Sequence, residues 1–201
     1  MASIEGKLQQ VRERIALACA AAQRPVQSVT LLAVSKTFGV AAVRAAHAAG
    51  QRAFGENYVQ EALDKIEALA DLRPSIEWHL IGPLQSNKTR DVATRFDWVH
   101  TVDRLKVAER LSAQRPASLP SMQLCLQVNV SGEASKSGVV PAELPALARA
   151  VSALPNLRLR GLMSIPEPAT DPAAQRAPHR QLRQLFETLQ REGLPLDTLS
   201  M

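Results

Sequence analysis

Two hydrophobic periods succeed one another along this chain. Ile4, Leu8, Val11 and Ile15 recur at helical spacing with Ser3 in the N-cap position, which predicts an opening amphipathic helix rather than a signal peptide. Residues 29–35 form a β-rich apolar run, and the Ala-rich helical segment 40–49 follows, with Gly50 as its stop signal. A short run at 52–55 leads into a helical stretch at 58–69. Residues 76–81 then read as a strand broken by Gly82-Pro83. Residues 97–102 read as another strand, and Asp103 is positioned to cap a helix running to Arg115. Over 122–130, Met122, Leu124, Leu126, Val128 and Val130 alternate with Gln123, Cys125, Gln127 and Asn129, a strand signature. A helix at 143–154 precedes a strand at 157–165. The Pro-rich stretch 166–178 reads as a loop in which Asp171-Pro172 can start a helix. That helix carries Leu182, Leu185, Phe186 and Leu189 and ends at Gly193, and residues 196–201 read as the seventh strand.

Strands alternating with helices predict right-handed βαβ units and a parallel sheet. A doubly wound sheet would carry a Gly-rich phosphate turn after its first strand, but the residues there are Ser35-Lys-Thr-Phe-Gly39. Seven nearly uniform units are one short of a closed barrel, and an open barrel would leave two exposed edges. The expected fold class is therefore α/β: a (β/α)8 TIM-type barrel with an extra N-terminal helix, forming a single domain over residues 1–201. The last strand and helix are expected within about 25–35 further residues past Met201, the length of one βα unit.

Composition narrows the function classes. Of 201 residues, 46% are hydrophobic and 21% charged, which fits a globular chain rather than a disordered one. The net charge of +5 is spread over helix faces, and aromatics are only 3%, so neither a basic block nor a stacking platform for nucleic acid is present. No apolar run is long enough for a membrane span. Two cysteines cannot build a disulfide framework, and a cytoplasmic location is expected.

In a barrel, chemistry belongs at the C-terminal strand ends. The polar residues there are Ser35 and Lys36, Glu56 and Asn57, His79 with the 85–88 loop, Asn129 and Ser131, Ser164, and Ser200. In a semi-enclosed mouth the Lys36 ammonium would be desolvated and its neutral amine nucleophilic toward aldehydes; the alternative is an ordinary solvated loop lysine. His79 and His100, set among apolar neighbours, read as buried histidines satisfied by backbone. No His/Cys/Asp cluster has metal-ligand spacing, and no nucleophile-elbow turn supports a Ser-His-Asp reading.

Six blocks in order carry a resemblance. They are Leu31-Leu-Ala-Val-Ser-Lys-Thr37, Phe54-Gly-Glu-Asn-Tyr-Val-Gln-Glu61, Trp78-His-Leu-Ile-Gly-Pro-Leu-Gln-Ser-Asn-Lys88, Asn129-Val-Ser with Ser135-Lys-Ser-Gly138, Leu159-Arg-Gly-Leu-Met-Ser-Ile-Pro166, and Leu199-Ser-Met201. Together the chain resembles the pyridoxal phosphate homeostasis (YggS-like) family over residues 4–201. The resemblance implies a barrel of the alanine racemase N-terminal type that binds pyridoxal 5'-phosphate (PLP). Lys36 matches the lysine that forms the internal aldimine. Asn57, His79, Met163 and Ser200 match positions lining the cofactor pocket, and Lys136 matches a second lysine near the barrel mouth. Phe38-Gly39 departs from the polar or Pro-containing sequence common after that lysine. The family continues past Leu-Ser-Met with a Gly-rich loop, a helix and a strand that bind much of the phosphate.

The resemblance implies an intracellular PLP carrier or regulator without strong turnover. Its partners would be PLP and PLP-dependent apo-enzymes, with no nucleic acid or membrane, and it would be a monomer or weak dimer. The alternative is a PLP-dependent, racemase-like enzyme. Racemisation needs acid/base groups on both faces of the substrate, and Tyr58 is the sole tyrosine. A Schiff-base aldolase would share the barrel and the lysine but not the other blocks.

Overall fold

A computed structural model describes residues 3–132 and 137–201. It divides into two compact units, Met1–Trp78 and His79–Met201.

The first unit opens on helix α1 (Ile4–Ala21), capped as expected by the Ser3 hydroxyl, which accepts the Gly6 N–H at 3.1 Å. Strand β1 (Ala33–Val34) runs parallel to β2 (Ala53–Glu56). The expected strand at 29–35 contracts to two residues for a local reason. The Gln51 side-chain amide donates to the carbonyls of both Leu31 and Ala53, at 2.7 and 2.8 Å, so an amide takes the place of ladder bonds there. Helix α2 (Val40–Ala48) ends where Gly50 takes φ +87°. The Gly50 and Gln51 N–H groups then close onto the carbonyls of His47 and Ala46. Helix α3 (Val59–Ala68) buries Val59, Ala62 and Ile66. The Phe54 and Trp78 rings lie 5.9 Å apart in this unit's core. Strand β3 (Glu77–Leu80) begins here, with the Glu77 N–H on the Arg52 carbonyl.

In the second unit the end of β3 pairs with β4 (Trp98–Val102), followed by β5 (Met122–Gln127), β6 (Leu157–Met163) and β7 (Thr198–Ser200). Every pairing is parallel and between sequence neighbours. The intervening helices are α4 (Thr89–Arg95), α5 (Leu105–Gln114), α6 (Leu144–Ser152) and α7 (Pro172–Arg191). Met122, Leu124, Cys125 and Leu126 are all fully buried, so β5 is covered on both faces despite its alternating pattern, as parallel strands are. Burial pushes the Cys125 thiol up to about 12, consistent with a core residue. Gly161 on β6 permits a close approach, because a Cβ there would collide with the Thr198 carbonyl of β7. Asp171 caps α7 as expected, accepting the Ala174 N–H at 2.7 Å. Asp103 does not cap α5: its carboxylate is taken by the Arg104 guanidinium at 2.8 Å, and Arg104 becomes the flanking residue. Among the described residues no helix is long and apolar enough to cross a membrane.

Candidate functional site

Within Met1–Trp78, Lys36 follows β1 on a tight turn closed by the Phe38 N–H on the Ser35 carbonyl at 3.1 Å. Thr37, at the third position of that turn, takes φ +66°. A β-branched side chain avoids this left-handed region, and such strain costs on the order of 1–3 kcal/mol. The turn is held from beneath. The Thr37 N–H donates to Glu61 Oε1 at 2.6 Å. Lys65 Nζ donates to the Ser35 carbonyl at 2.7 Å, to Glu56 Oε1 at 2.8 Å and to Glu61 Oε1 at 2.7 Å, which matches all three of its donors. The Ser35 hydroxyl completes the group by donating to Glu56 Oε1 at 2.6 Å. Lys65 and Glu56 are buried, at 5% and 0% exposure; the Lys65 donors are all matched and Glu56 Oε1 takes two bonds, while Glu56 Oε2 is buried without a hydrogen-bond partner. The Lys65 bond holds the Glu61 carboxyl below the usual range, against a smaller opposing effect of burial. The Lys36 side chain itself is exposed, the solvated one of the two placements its position after the strand allowed. Asn57, directly after β2, is half-buried.

Within His79–Met201 the polar group at the strand ends is built on imidazole rings and hydroxyls. His79 Nδ1 and His100 Nε2 lie 2.9 Å apart, and His100 Nδ1 lies 2.7 Å from the Ser200 Oγ. Burial, reinforced by the neighbouring His79, pushes His100 down to about 3, so its ring is uncharged near neutrality. A neutral imidazole bonded through both nitrogens donates through one and accepts through the other, so the Ser200 hydroxyl and the His79 ring are coupled through it. Trp98 stacks on His79 with centroids 5.4 Å apart and planes 14° apart. The Arg160 guanidinium lies 5.0 Å over the Trp98 ring while pairing with Asp197 at 2.7 Å. Met163 is buried at the end of β6 in register with Ser200, and the Ser164 N–H donates to the Ser200 carbonyl at 3.2 Å. The Ser164 hydroxyl is fully buried with no hydrogen-bond partner.

Of the residues expected from the sequence, Lys36, Ser35 and Glu56 gather around one turn, and His79, Met163, Ser164 and Ser200 gather at the ends of β3, β6 and β7. The two histidines bond to each other, where backbone partners were expected. Lys136 lies outside the described residues. Glu61, Lys65, Trp98 and Arg160 were not foreseen. One signal marked Lys65: it shares helical spacing with the buried Ala62, Ile66 and Leu69, so a charge stands on the apolar face of α3.

PLP carries an aldehyde, a phosphate and an aromatic ring. Within the first unit an exposed amine on a fixed turn suits an aldehyde; within the second, taken by itself, the Ser200 hydroxyl and the buried, unpartnered Ser164 hydroxyl at adjacent strand ends suit a polar ligand. Among the described residues no group of three His, Cys, Asp or Glu side chains could hold a metal ion.

Comparison with known proteins agrees with this chemistry. The sequence matches the family described as alanine racemase, N-terminal domain, over residues 7–201. A pyridoxal phosphate homeostasis protein of Pseudomonas aeruginosa is 61% identical over 201 residues, covering 100% of this chain and 85% of that protein. Its counterpart in Escherichia coli is 50% identical over 202 residues, covering 100% of this chain and 86% of that protein. Among solved structures, PipY of Synechococcus elongatus with PLP bound is 44% identical, with a TM-score of 0.81 over 95% of this chain and 88% of that one. The parallel α/β fold of the alanine racemase N-terminal type, expected from the sequence, is thereby established.

Proposed function

Since the chain belongs to the alanine racemase N-terminal domain family and its relatives are PLP homeostasis proteins, we propose that it binds PLP and serves PLP homeostasis as a carrier or regulator. The observation that carries this reading is Lys36: an exposed amine on a strained, ion-clamped turn after the first β-strand. When bound, PLP supplies an electrophilic aldehyde and an electron-withdrawing ring. The Lys36 amine would hold PLP through that aldehyde carbon, with loss of water, in a bond reversible by hydrolysis or by exchange with another amine. The Ser200 and Ser164 hydroxyls donate hydrogen bonds to an anionic ligand, and Asn57, His79 and Met163 line its surroundings.

Low turnover follows from the same residues. Tyr58, the single tyrosine, is 60% exposed, and His100, held neutral, is a poor proton donor near neutral pH. In this reading residues 1–201 act as one PLP-binding domain, in the cytoplasm, as a monomer or weak dimer. PLP-dependent apo-enzymes receive the cofactor.

The test is an absorbance scan with added PLP, wild type beside Lys36→Ala. A band near ~420 nm in the wild type and none in the variant is expected from a lysine-held PLP. A band that survives the substitution contradicts the role given to Lys36, and no wild-type band contradicts binding. Alanine or serine racemisation above the level of free PLP would contradict the carrier reading.

A further inference from the structure

The covalent anchor proposed above sits next to a residue in a conformation its side chain disfavours. Thr37 has φ +66°, and the turn is closed by one backbone bond, from the Phe38 N–H to the Ser35 carbonyl. A type II turn ordinarily places glycine or asparagine where Thr37 stands. Left to itself, the 35–38 segment would relax and carry the Lys36 amine with it. Among the described residues the side chain bonded to the strained residue's amide is Glu61, at 2.6 Å. Glu61 is itself held one helical turn from Lys65, whose ammonium also grips the Ser35 carbonyl at the other end of the turn. The turn is therefore tied to helix α3 twice, at Thr37 through Glu61 and at Ser35 through Lys65, and the two ties are joined by the Lys65–Glu61 ion pair.

We propose that Glu61, braced by Lys65, is a positioning residue for Lys36: its carboxylate clasps the Thr37 amide and so fixes the turn that presents the Lys36 amine. This rests on the reading of Lys36 as the PLP anchor. Holding the amine in one geometry lowers the entropic cost of its attack on an aldehyde, so loss of the clasp appears first in the rate of capture. Glutamine at position 61 keeps an acceptor oxygen at the same reach, whereas aspartate is one methylene too short. Glycine at position 37 adopts φ near +66° without strain and removes the need for a clasp.

The test follows the rate of appearance of the ~420 nm band with PLP in wild type, Glu61→Ala, Glu61→Gln, Glu61→Asp, Thr37→Gly and the Thr37→Gly/Glu61→Ala double variant. Amide exchange of the 35–39 peptide is measured on the same proteins without PLP. Glu61→Ala and Glu61→Asp are expected to slow capture about tenfold and to speed exchange of that peptide. Glu61→Gln should stay within about threefold of wild type, and adding Thr37→Gly to Glu61→Ala should recover most of the rate. A merely structural role would not be rescued by glycine. Capture at the wild-type rate in Glu61→Ala, or no rescue by either Gln or the double variant, overturns the proposal while leaving PLP binding intact. If Glu61→Ala fails to fold, Gln against Asp decides the matter by the same criterion. Absence of a band in the wild type sinks the binding reading and this inference with it.

Discussion

Lys36 and Ser200 both stand at strand ends, and each depends on buried polar neighbours, but the two neighbourhoods are built on opposite electrostatics. Behind Lys36, in Met1–Trp78, the neighbours are ions: Glu56 and Glu61 share the Lys65 ammonium, and a backbone carbonyl takes its third donor. Behind Ser200, in His79–Met201, the neighbour is a neutral ring: His100 is kept uncharged and bonds on both sides, to Ser200 and to His79. An ionic cluster tolerates burial only when every charge is matched in place. A neutral ring avoids the charge but loses stability wherever solution conditions would protonate it. The first arrangement is therefore brittle to substitution and the second to acid.

The largest effect expected from this contrast is in the ionic cluster. Lys65→Met leaves the Glu56 carboxylate, 0% exposed, without its cation, and should cost about 3–5 kcal/mol in denaturant unfolding. A loss under about 1 kcal/mol would mean that the cluster is not fully desolvated.

Acid acts on the other region. The folded His100 pKa of about 3 lies below the ordinary 6.5, so the unfolded chain takes up its proton first as the pH falls. Its contribution is intact above pH 6.5 and is lost progressively down to about 3. Between pH 7 and pH 5 that amounts to about 2 kcal/mol. Half-buried His47, whose pKa is also lowered, chiefly by desolvation and then by Arg52, adds to the loss in the same direction. The decisive comparison is His100→Gln against wild type, in which the variant should lack about 2 kcal/mol of this decline. Equal acid slopes in the two proteins would remove the neutral-ring account.

Ser164→Ala gives the smallest effect on the fold and sharpens the functional side of the contrast. Removing a buried hydroxyl with no internal partner should leave stability within about 1 kcal/mol of wild type, or raise it slightly. Thermal shift with and without PLP should then show a smaller ligand-induced rise in the variant. An unchanged rise would place Ser164 outside the ligand's reach.

Much of this organisation was legible in the sequence because periodicity and caps report on local physics. Ser3, Gly50 and Asp171-Pro172 bound their helices as expected, and all seven strands lie where apolar runs predicted them. Helix α4 was not foreseen, because Thr-Arg-Asp-Val-Ala-Thr-Arg offers only Val92 and Ala93 as an apolar face. The shortening of β1 depends on where one amide, Gln51, reaches in three dimensions, which no local pattern encodes. For the site, Lys36 was visible from its place after a β-rich run. The residues that hold its turn lie 25 and 29 positions further along, on a helix whose polar residues otherwise read as solvated. The pairing of His79 with His100, and of His100 with Ser200, needs the register of separate strands.

The most direct test of the central claim is to treat the chain with PLP, reduce it with borohydride, digest it and map the modified peptide by mass. The account predicts that the label falls on Lys36 and is lost in Lys36→Ala. Label on Lys65, on Lys136 or spread over surface lysines, or none above a denatured control, would contradict it.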